Sequence, residues 1–390
     1  MKSLLFIPGP VAVAEPVLAA MARPMINHRG PQFAALLGRT EERLRRIFGT
    51  TSDVLLLGGS GTSGLEAAVA CSFSPGDRVL ACPIGVFGRR FVNLAKTYGL
   101  EVDVLDTPLG AALDPSALAE RLRSERGRSY AGLLLTQNET STGAQNDMAA
   151  LARGIGGHPA TVLVDAVSGL AASEFRMDEW GFDIVAAASQ KALAAPPGLA
   201  MVAVSARAWE RMARATAPRF YLDLAKAREF KNSGETPWTP PISVCFALDV
   251  ALDAYEAAGQ ANVWLRHARY ARAIRAAAGA LGLDVLSQDG AHSVTVVAIR
   301  VPGGIDGAAI SKALREHHGV VLGGGQAELK GKIWRIGTMG DISEVDLVGA
   351  LSAFERVLRE HGHAAERGAA ARAALEVFEG ARAERRPVGV

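Results

Sequence analysis

The chain is poor in cysteine. Its 390 residues hold three, Cys71, Cys82 and Cys245. An odd count at wide spacing argues against a disulfide framework and fits a reducing compartment. No Cys-x-x-Cys pair occurs, so a structural zinc site is not expected. Long hydrophobic runs are absent too: none reaches the roughly 18 residues of a membrane-spanning helix. The first ten residues carry one basic residue and a short apolar run, Leu4–Ile7, too little for a signal-peptide core. A cytoplasmic protein is expected. The net charge is only +2, which gives no global pull toward nucleic acid or membrane. Aromatics are scarce, at 6%, beside abundant Ala and Gly; that composition carries no functional meaning. The eight histidines are dispersed, and the close pairs His317-His318 and His361/His363 fall in helical stretches. No metal site is expected.

What the chain does have is alternation. Short apolar runs at Val54–Leu57, Val79–Cys82, Val102–Leu105, Gly132–Leu135, Val162–Val164, Ile184–Ala187 and Ala200–Val204 are separated by helical patterns. Continuous apolar strands between helices predict a mostly parallel sheet covered on both faces. Ligands of such sheets gather at the carboxyl ends of the strands. The texture changes after Pro241. Helical stretches Val244–Ala258 and Val263–Leu281 lead into a strand Val294–Arg300, a helix Gly307–His317, short runs Val320–Leu322 and Ile333–Ile336, and a helix from Ser343 to Glu360. These predict a second, smaller α/β domain.

Three features sit at the expected strand ends. After the first run comes Gly58-Gly59-Ser60-Gly61-Thr62-Ser63-Gly64 and then a helical pattern. A glycine turn opening a helix presents free backbone N–H groups and a favourable dipole to an anion. The alternatives are a tight turn with helix caps, or a dinucleotide loop, since Gly59, Gly61 and Gly64 also match GxGxxG. A nicotinamide-dependent dehydrogenase would need an acidic residue at the end of the next strand. That strand ends in Cys82-Pro83-Ile84-Gly85, and Asp77 lies at its wrong end. Second, Thr161–Val164 runs into Asp165, a ligand-side carboxylate or a turn residue. Third, Asp183–Ala188 runs into Ser189-Gln190-Lys191, a lysine directly behind an apolar strand. Together an anion cradle, an acid and a lysine are what pyridoxal phosphate requires: a phosphate site, a partner for the pyridine nitrogen and a Schiff-base amine.

The series Ile7-Pro8-Gly9-Pro10-Val11, Asn27-His28-Arg29, Gly59–Thr62, Gly85-Val86-Phe87-Gly88-Arg89, Asn138–Gly143, Val164–Ser168, Gly181-Phe182-Asp183, Ser189–Ala192, Thr236–Pro240 and Lys332–Gly337 resembles the class V aminotransferases of fold type I. The likeness is greatest to the alanine–glyoxylate and serine–glyoxylate (serine–pyruvate) group and spans about residues 3–360. It implies a large α/β domain with a mostly parallel seven-stranded sheet over 16–243, a small C-terminal α/β domain over 244–363, and a segment 1–15 packed near that small domain. Residues 364–390 run past the family's usual end and are expected helical or disordered.

The resemblance also implies roles. Lys191 carries pyridoxal phosphate as a Schiff base and moves the substrate proton. Asp165 pairs with the pyridinium nitrogen. Phe87 and Val167 flank the ring, and Thr140 reaches its phenolic oxygen. Ser60, Gly61, Thr62 and Gln190 hold the phosphate, with Thr239 supplied by the second subunit of a homodimer. Arg335 clamps the substrate carboxylate, and Gly9 and His28 border the substrate. Arg335 lies inside an apolar strand and is expected to have an anionic partner. The implied reaction moves an amino group from alanine or serine to glyoxylate or pyruvate by a ping-pong route. Aspartate, phosphoserine, aminophosphonate or ureidoglycine donors stay open, since Arg29, Arg89 and Arg90 are the only loose candidates for a second clamp. A desulfurase would need a cysteine on a mobile small-domain loop, and none of the three fits.

Overall fold

The structure, a computed structural model, describes residues 3–383. Its centre is a seven-stranded sheet of β2 (Asp53–Gly59), β3 (Arg78–Ala81), β4 (Glu101–Val104), β5 (Gly132–Thr136), β8 (Thr161–Asp165), β9 (Ile184–Ala188) and β10 (Gly198–Val204), preceded in the chain by β1 (Leu4–Phe6). Between β5 and β8 lies a small hairpin, β6 (Asn138–Glu139) and β7 (Ala144–Gln145). The sheet order is β2-β10-β9-β8-β5-β3-β4. Only β10 runs against its neighbours. Two reversals make β2 point the same way as β9, so six of the seven strands end on one edge. Each of the seven apolar runs named above marks one of these strands, with Cys82 and Leu105 lying one residue past the ends of β3 and β4.

Alternating residues of each strand enter different cores, as the two-residue period of a strand dictates. In β10, Leu199, Met201 and Ala203 face one helical layer and Ala200, Val202 and Val204 the other. In β9, Val185 and Ala187 face the first layer and Ile184 and Ala186 the second. The helix Gly61–Ser72, which follows the glycine turn, is buried along most of its length.

A four-stranded sheet, ordered β1-β12-β13-β11, combines β11 (Val296–Arg300), β12 (Val320–Gly324) and β13 (Ile333–Gly337) with the N-terminal β1. Strand β1 is parallel to β12, with Leu4, Leu5 and Phe6 opposite Val320, Val321 and Leu322. Phe6 is fully buried there. Helices Gln260–Ala280, Gly307–His318 and Glu344–Glu360 accompany this sheet. Ser343 closes a capping box with Asp346, which explains why the last of these starts where it does.

The stretch 364–390 divides. Ala369–Ala383 is a helix. Ala370, Ala374 and Phe378 lie on one face at four-residue spacing and enter the small core. Phe378 meets Tyr270 edge-on at 5.7 Å. The buried Glu355 carboxylate accepts the Gly368 and Ala370 N–H groups at 2.6 and 3.0 Å and caps the helix start. Residues 384–390 lie outside the described residues. No helix among the described residues is long and apolar enough to cross a membrane.

Candidate active site

The carboxyl edge of the large sheet borders a cavity of about 270 Å³. Gly9, Ser60, Gly61, Thr62, Phe87, Thr140, Asp165, Val167, Gln190 and Lys191 all line it, together with Leu65, Arg90, Asn138 and Ser168. The segments that follow five separate strands, β2, β3, β5, β8 and β9, and the N-terminal segment therefore meet at one place.

Ser60 is the N-cap residue of the helix Gly61–Ser72, yet its hydroxyl makes no capping bond. The first-turn N–H groups of a helix have no partners within it. Ser63 N–H is taken by the Ser60 carbonyl at 2.8 Å, so the N–H groups of Gly61 and Thr62 and the Ser60 hydroxyl are those left for an anion in the cavity. A Cβ on Gly61 would lie 2.6 Å from Val167 Cγ2, so only glycine lets the helix start close against Val167. Gln190 Oε1 is buried without a hydrogen-bond partner. An orphaned acceptor at the rim of an unspent N–H cluster needs a donor, which a water shared with a phosphate-bearing ligand would supply.

Lys191 Nζ donates to the Pro8 carbonyl at 2.6 Å. Burial, helped by the positive charges of Arg335 and Arg90, lowers its pKa to about 8 against the pull of Asp165. An amine at that value is partly neutral near physiological pH and so nucleophilic. Gly9 has φ +127°, and a Cβ there would stand 2.5 Å from Nζ. Asp165 is 5% exposed, and its Oδ1 accepts the Val167 N–H at 3.0 Å. Burial pushes its pKa up to about 6; the Val167 N–H, Arg90 and Lys191 pull the other way. A cation placed against this carboxylate would favour its charged form further.

Arg335, in β13, donates Nε to the Gly324 carbonyl at 2.7 Å and Nη1 to the Thr140 carbonyl at 3.1 Å. The expected anionic partner is not there: no carboxylate lies within ion-pair distance of it among the described residues. Two carbonyls satisfy part of the fork, and its remaining N–H groups are unspent. Burial accordingly lowers its pKa, with Glu139 the charge that opposes this.

Comparison with known proteins accords with this geometry. The sequence profile "Aminotransferase class-V" matches residues 15–333. The chain belongs to the class-V aminotransferase family. It is 37% identical over 379 residues to the soluble hydrogenase 42 kDa subunit of Anabaena cylindrica, covering 97% of this chain and 99% of that one. It is 36% identical over 375 residues to the serine–glyoxylate aminotransferase of Arabidopsis thaliana, covering 95% and 94%. The crystal structure of pyridoxamine–pyruvate aminotransferase from Mesorhizobium loti superposes with a TM-score of 0.92 at 32% identity, over 98% of each chain. The fold is that of the fold type I transferases.

The dehydrogenase reading of the glycine loop falls with this membership, and the sheet gives the physical reason. In this aminotransferase β2 is the outermost strand, bonded only to the antiparallel β10. A dinucleotide loop opens from a strand inside a parallel sheet, between two crossovers.

Three expected residues are not among those that line the cavity within one chain: Arg335, which reaches it only through its bond to the Thr140 carbonyl, Thr239 and His28. Thr239 is exposed and lines a separate pocket of about 30 Å³ with Tyr221, Trp238 and Pro240. His28 sits half-buried in the turn before the helix Pro31–Phe48. Of the loose arginines, Arg29 pairs with Glu235 at 2.9 Å and Arg89 with Asp106 at 3.1 Å. Arg90 alone of the three lines the cavity.

The sequence reading gave no role to Glu139. It is fully buried and accepts the N–H groups of Phe87, Gly88 and Ser141 at 3.0 Å and the Ser141 hydroxyl at 2.7 Å. Burial pushes its pKa up and these donors pull it back. Its carboxylate fixes the helix start that carries Phe87. Asn138 and Ser168 were missed too. Asn138 Nδ2 donates to Ser168 Oγ at 2.8 Å and to Thr295 Oγ1 at 2.9 Å, and Thr140 Oγ1 donates to Ser168 Oγ at 2.9 Å. The available signal was the polar string Gln137–Thr142 directly behind the apolar β5.

Proposed function

We propose that this aminotransferase uses pyridoxal phosphate to take the amino group of a small amino acid, alanine or serine, and deliver it to glyoxylate or pyruvate by a ping-pong sequence. The observation that carries the reading is the meeting of the Lys191 amine, the Asp165 carboxylate and the unspent N–H groups of Gly61 and Thr62 on one cavity. When bound, pyridoxal phosphate supplies a ring that accepts the electron pair left at the substrate α-carbon. Lys191 forms the covalent link and then carries the α-proton, for which a pKa near working pH suits it. Asp165 keeps a proton on the ring nitrogen by ion pairing. Ser60, Gly61, Thr62 and Gln190 hold the phosphate, and Phe87 and Val167 flank the ring. Thr140 reaches the phenolic oxygen side. The unspent N–H groups of Arg335 take the substrate carboxylate, a planar match. Gly9 and His28 border the substrate.

A homodimer completes the site in this reading. Thr239 of one subunit reaches the phosphate bound by the other. The surface beside it supports the idea: Phe220 is 73% and Tyr221 51% exposed, and both rings lie against Trp238, at 5.0 and 5.8 Å. Exposed aromatics in one patch mark an interaction surface. The buried, unpaired cysteines fit a cytoplasmic setting.

The test is spectroscopic. The purified protein should absorb as a lysine-bound pyridoxal phosphate, lose that band on addition of alanine or serine, and regain it with glyoxylate or pyruvate. Lys191→Ala should abolish the band and lower turnover by about a thousandfold or more. No band after loading with the cofactor would sink the proposal. A band indifferent to both donors would keep the cofactor and move the donor to aspartate or another amino acid.

A further inference from the structure

The cup at the start of the helix Gly61–Ser72 offers a phosphate only neutral donors: hydroxyls, backbone N–H groups and the Gln190 amide. A phosphate monoester carries a charge of about −1.5 to −2 at pH 7. One guanidinium stands beside the cup. Arg90 lies on the helix Val86–Thr97, one turn beyond Phe87. Its Nη1 donates to Thr62 Oγ1 at 3.1 Å, and its guanidinium carbon lies 4.8 Å from the centre of the Phe87 ring. The stacking sets the plane of the fork. The bond to Thr62 has a directional consequence. The hydroxyl oxygen accepts from Arg90, so its own proton is left to donate elsewhere.

We infer that Arg90 is the charged ligand of the cofactor phosphate and the residue that makes the site prefer phosphorylated pyridoxal over pyridoxal. This rests on the pyridoxal-phosphate reading above. Its place in the cavity favours the phosphate over the substrate. Arg90 is tied to Thr62, in the first turn that forms the cup. The substrate clamp, Arg335, is tied instead to Gly324 and Thr140. Arg90 makes no ion pair among the described residues, whereas its neighbour Arg89 is engaged by Asp106. The same charge contributes to lowering the Lys191 pKa, after burial and Arg335. Arg90 thus serves two tasks from one position.

The experiment measures equilibrium binding of pyridoxal phosphate and of unphosphorylated pyridoxal to cofactor-free enzyme, for the natural protein, Arg90→Gln and Arg90→Lys. Arg90→Gln should loosen pyridoxal phosphate about tenfold to a hundredfold, the worth of a charge-assisted bond, and loosen pyridoxal far less, only through the change at Lys191. Arg90→Lys should recover part of the loss, and added salt should weaken the natural enzyme more than the glutamine variant. Equal loosening of both ligands would overturn the inference, because Arg90 would then merely support the Phe87 ring. Unchanged cofactor binding with an altered preference between aspartate and alanine would overturn it in favour of a substrate side-chain clamp. If the natural protein binds neither ligand, the cofactor reading fails, and this inference with it. That result is distinct from all the others.

Discussion

The two ends of the cavity are built by different means. The anion cup and Asp165 belong to one sheet, and their positions follow from strand ends held by continuous ladders. The other side is assembled from Thr140 behind β5, whose carbonyl Arg335 of the small sheet grips from outside the cavity lining, and the segment Pro8–Gly9 that leaves β1 and holds the Lys191 amine. The first end takes its frame from one sheet, and Arg90 and, in the proposed dimer, the second subunit's Thr239 are added to that frame. The second exists only when two sheets and the chain start are in register. A site that binds one ligand firmly and must admit and release others gains from that division, because the second end can change without disturbing the first.

The comparison breaks if a substitution at one end is felt equally at the other. After Lys191→Ala, Arg335→Ala gives the largest expected effect: the amino-acid KM should rise by about a hundredfold, through loss of a charge-assisted pair, with cofactor affinity changed far less. Steady-state kinetics beside a cofactor titration reads both. Gly9→Ala comes next. Its Cβ would meet Lys191 Nζ at 2.5 Å in a backbone region unfavourable to alanine. The cost is of order 1–3 kcal/mol, so the amine should be displaced and cofactor attachment slowed about tenfold. The smallest effect needs no mutation. Attachment of pyridoxal phosphate to the cofactor-free enzyme requires neutral Lys191, whose pKa is lowered to about 8. Its rate should rise about fivefold from pH 7 to pH 8 and level off above. A rate still climbing steeply at pH 10 would mean that the lysine is not buried as described.

The cup and the two reacting groups were legible because each follows an apolar run. Strand ends of a parallel sheet share one edge, so Ser60, Asp165 and Lys191 could be placed together without knowing any distance. Arg335 stood out for the same reason, as a charge inside an apolar strand. Its partners were misjudged, since carbonyls of Gly324 and Thr140 carry no mark in a sequence. Glu139 was illegible as a working residue. Its value comes from N–H groups that converge on it from Phe87 and Gly88, some fifty positions away along the chain. The helix Pro31–Phe48 went unnoticed as well, although Gly49 stops it in the left-handed conformation at φ 63°. In the large sheet periodicity decided the reading. Where long-range hydrogen bonds decide, as between Asn138 and Thr295, it has nothing to say.

Strand β1 sets a timetable for the whole molecule. The carbonyl that holds the Lys191 amine lies 183 positions before it in sequence, on a segment whose neighbouring strand pairs with residues 320–322. During synthesis Leu4–Phe6 emerges long before Val320–Leu322 and has no partner strand until β12 has been made. Contacts of such separation close late and slowly. The lysine therefore acquires its finished surroundings among the last events of assembly, and a chain truncated before β12 would carry every strand of the large sheet and still lack a working amine.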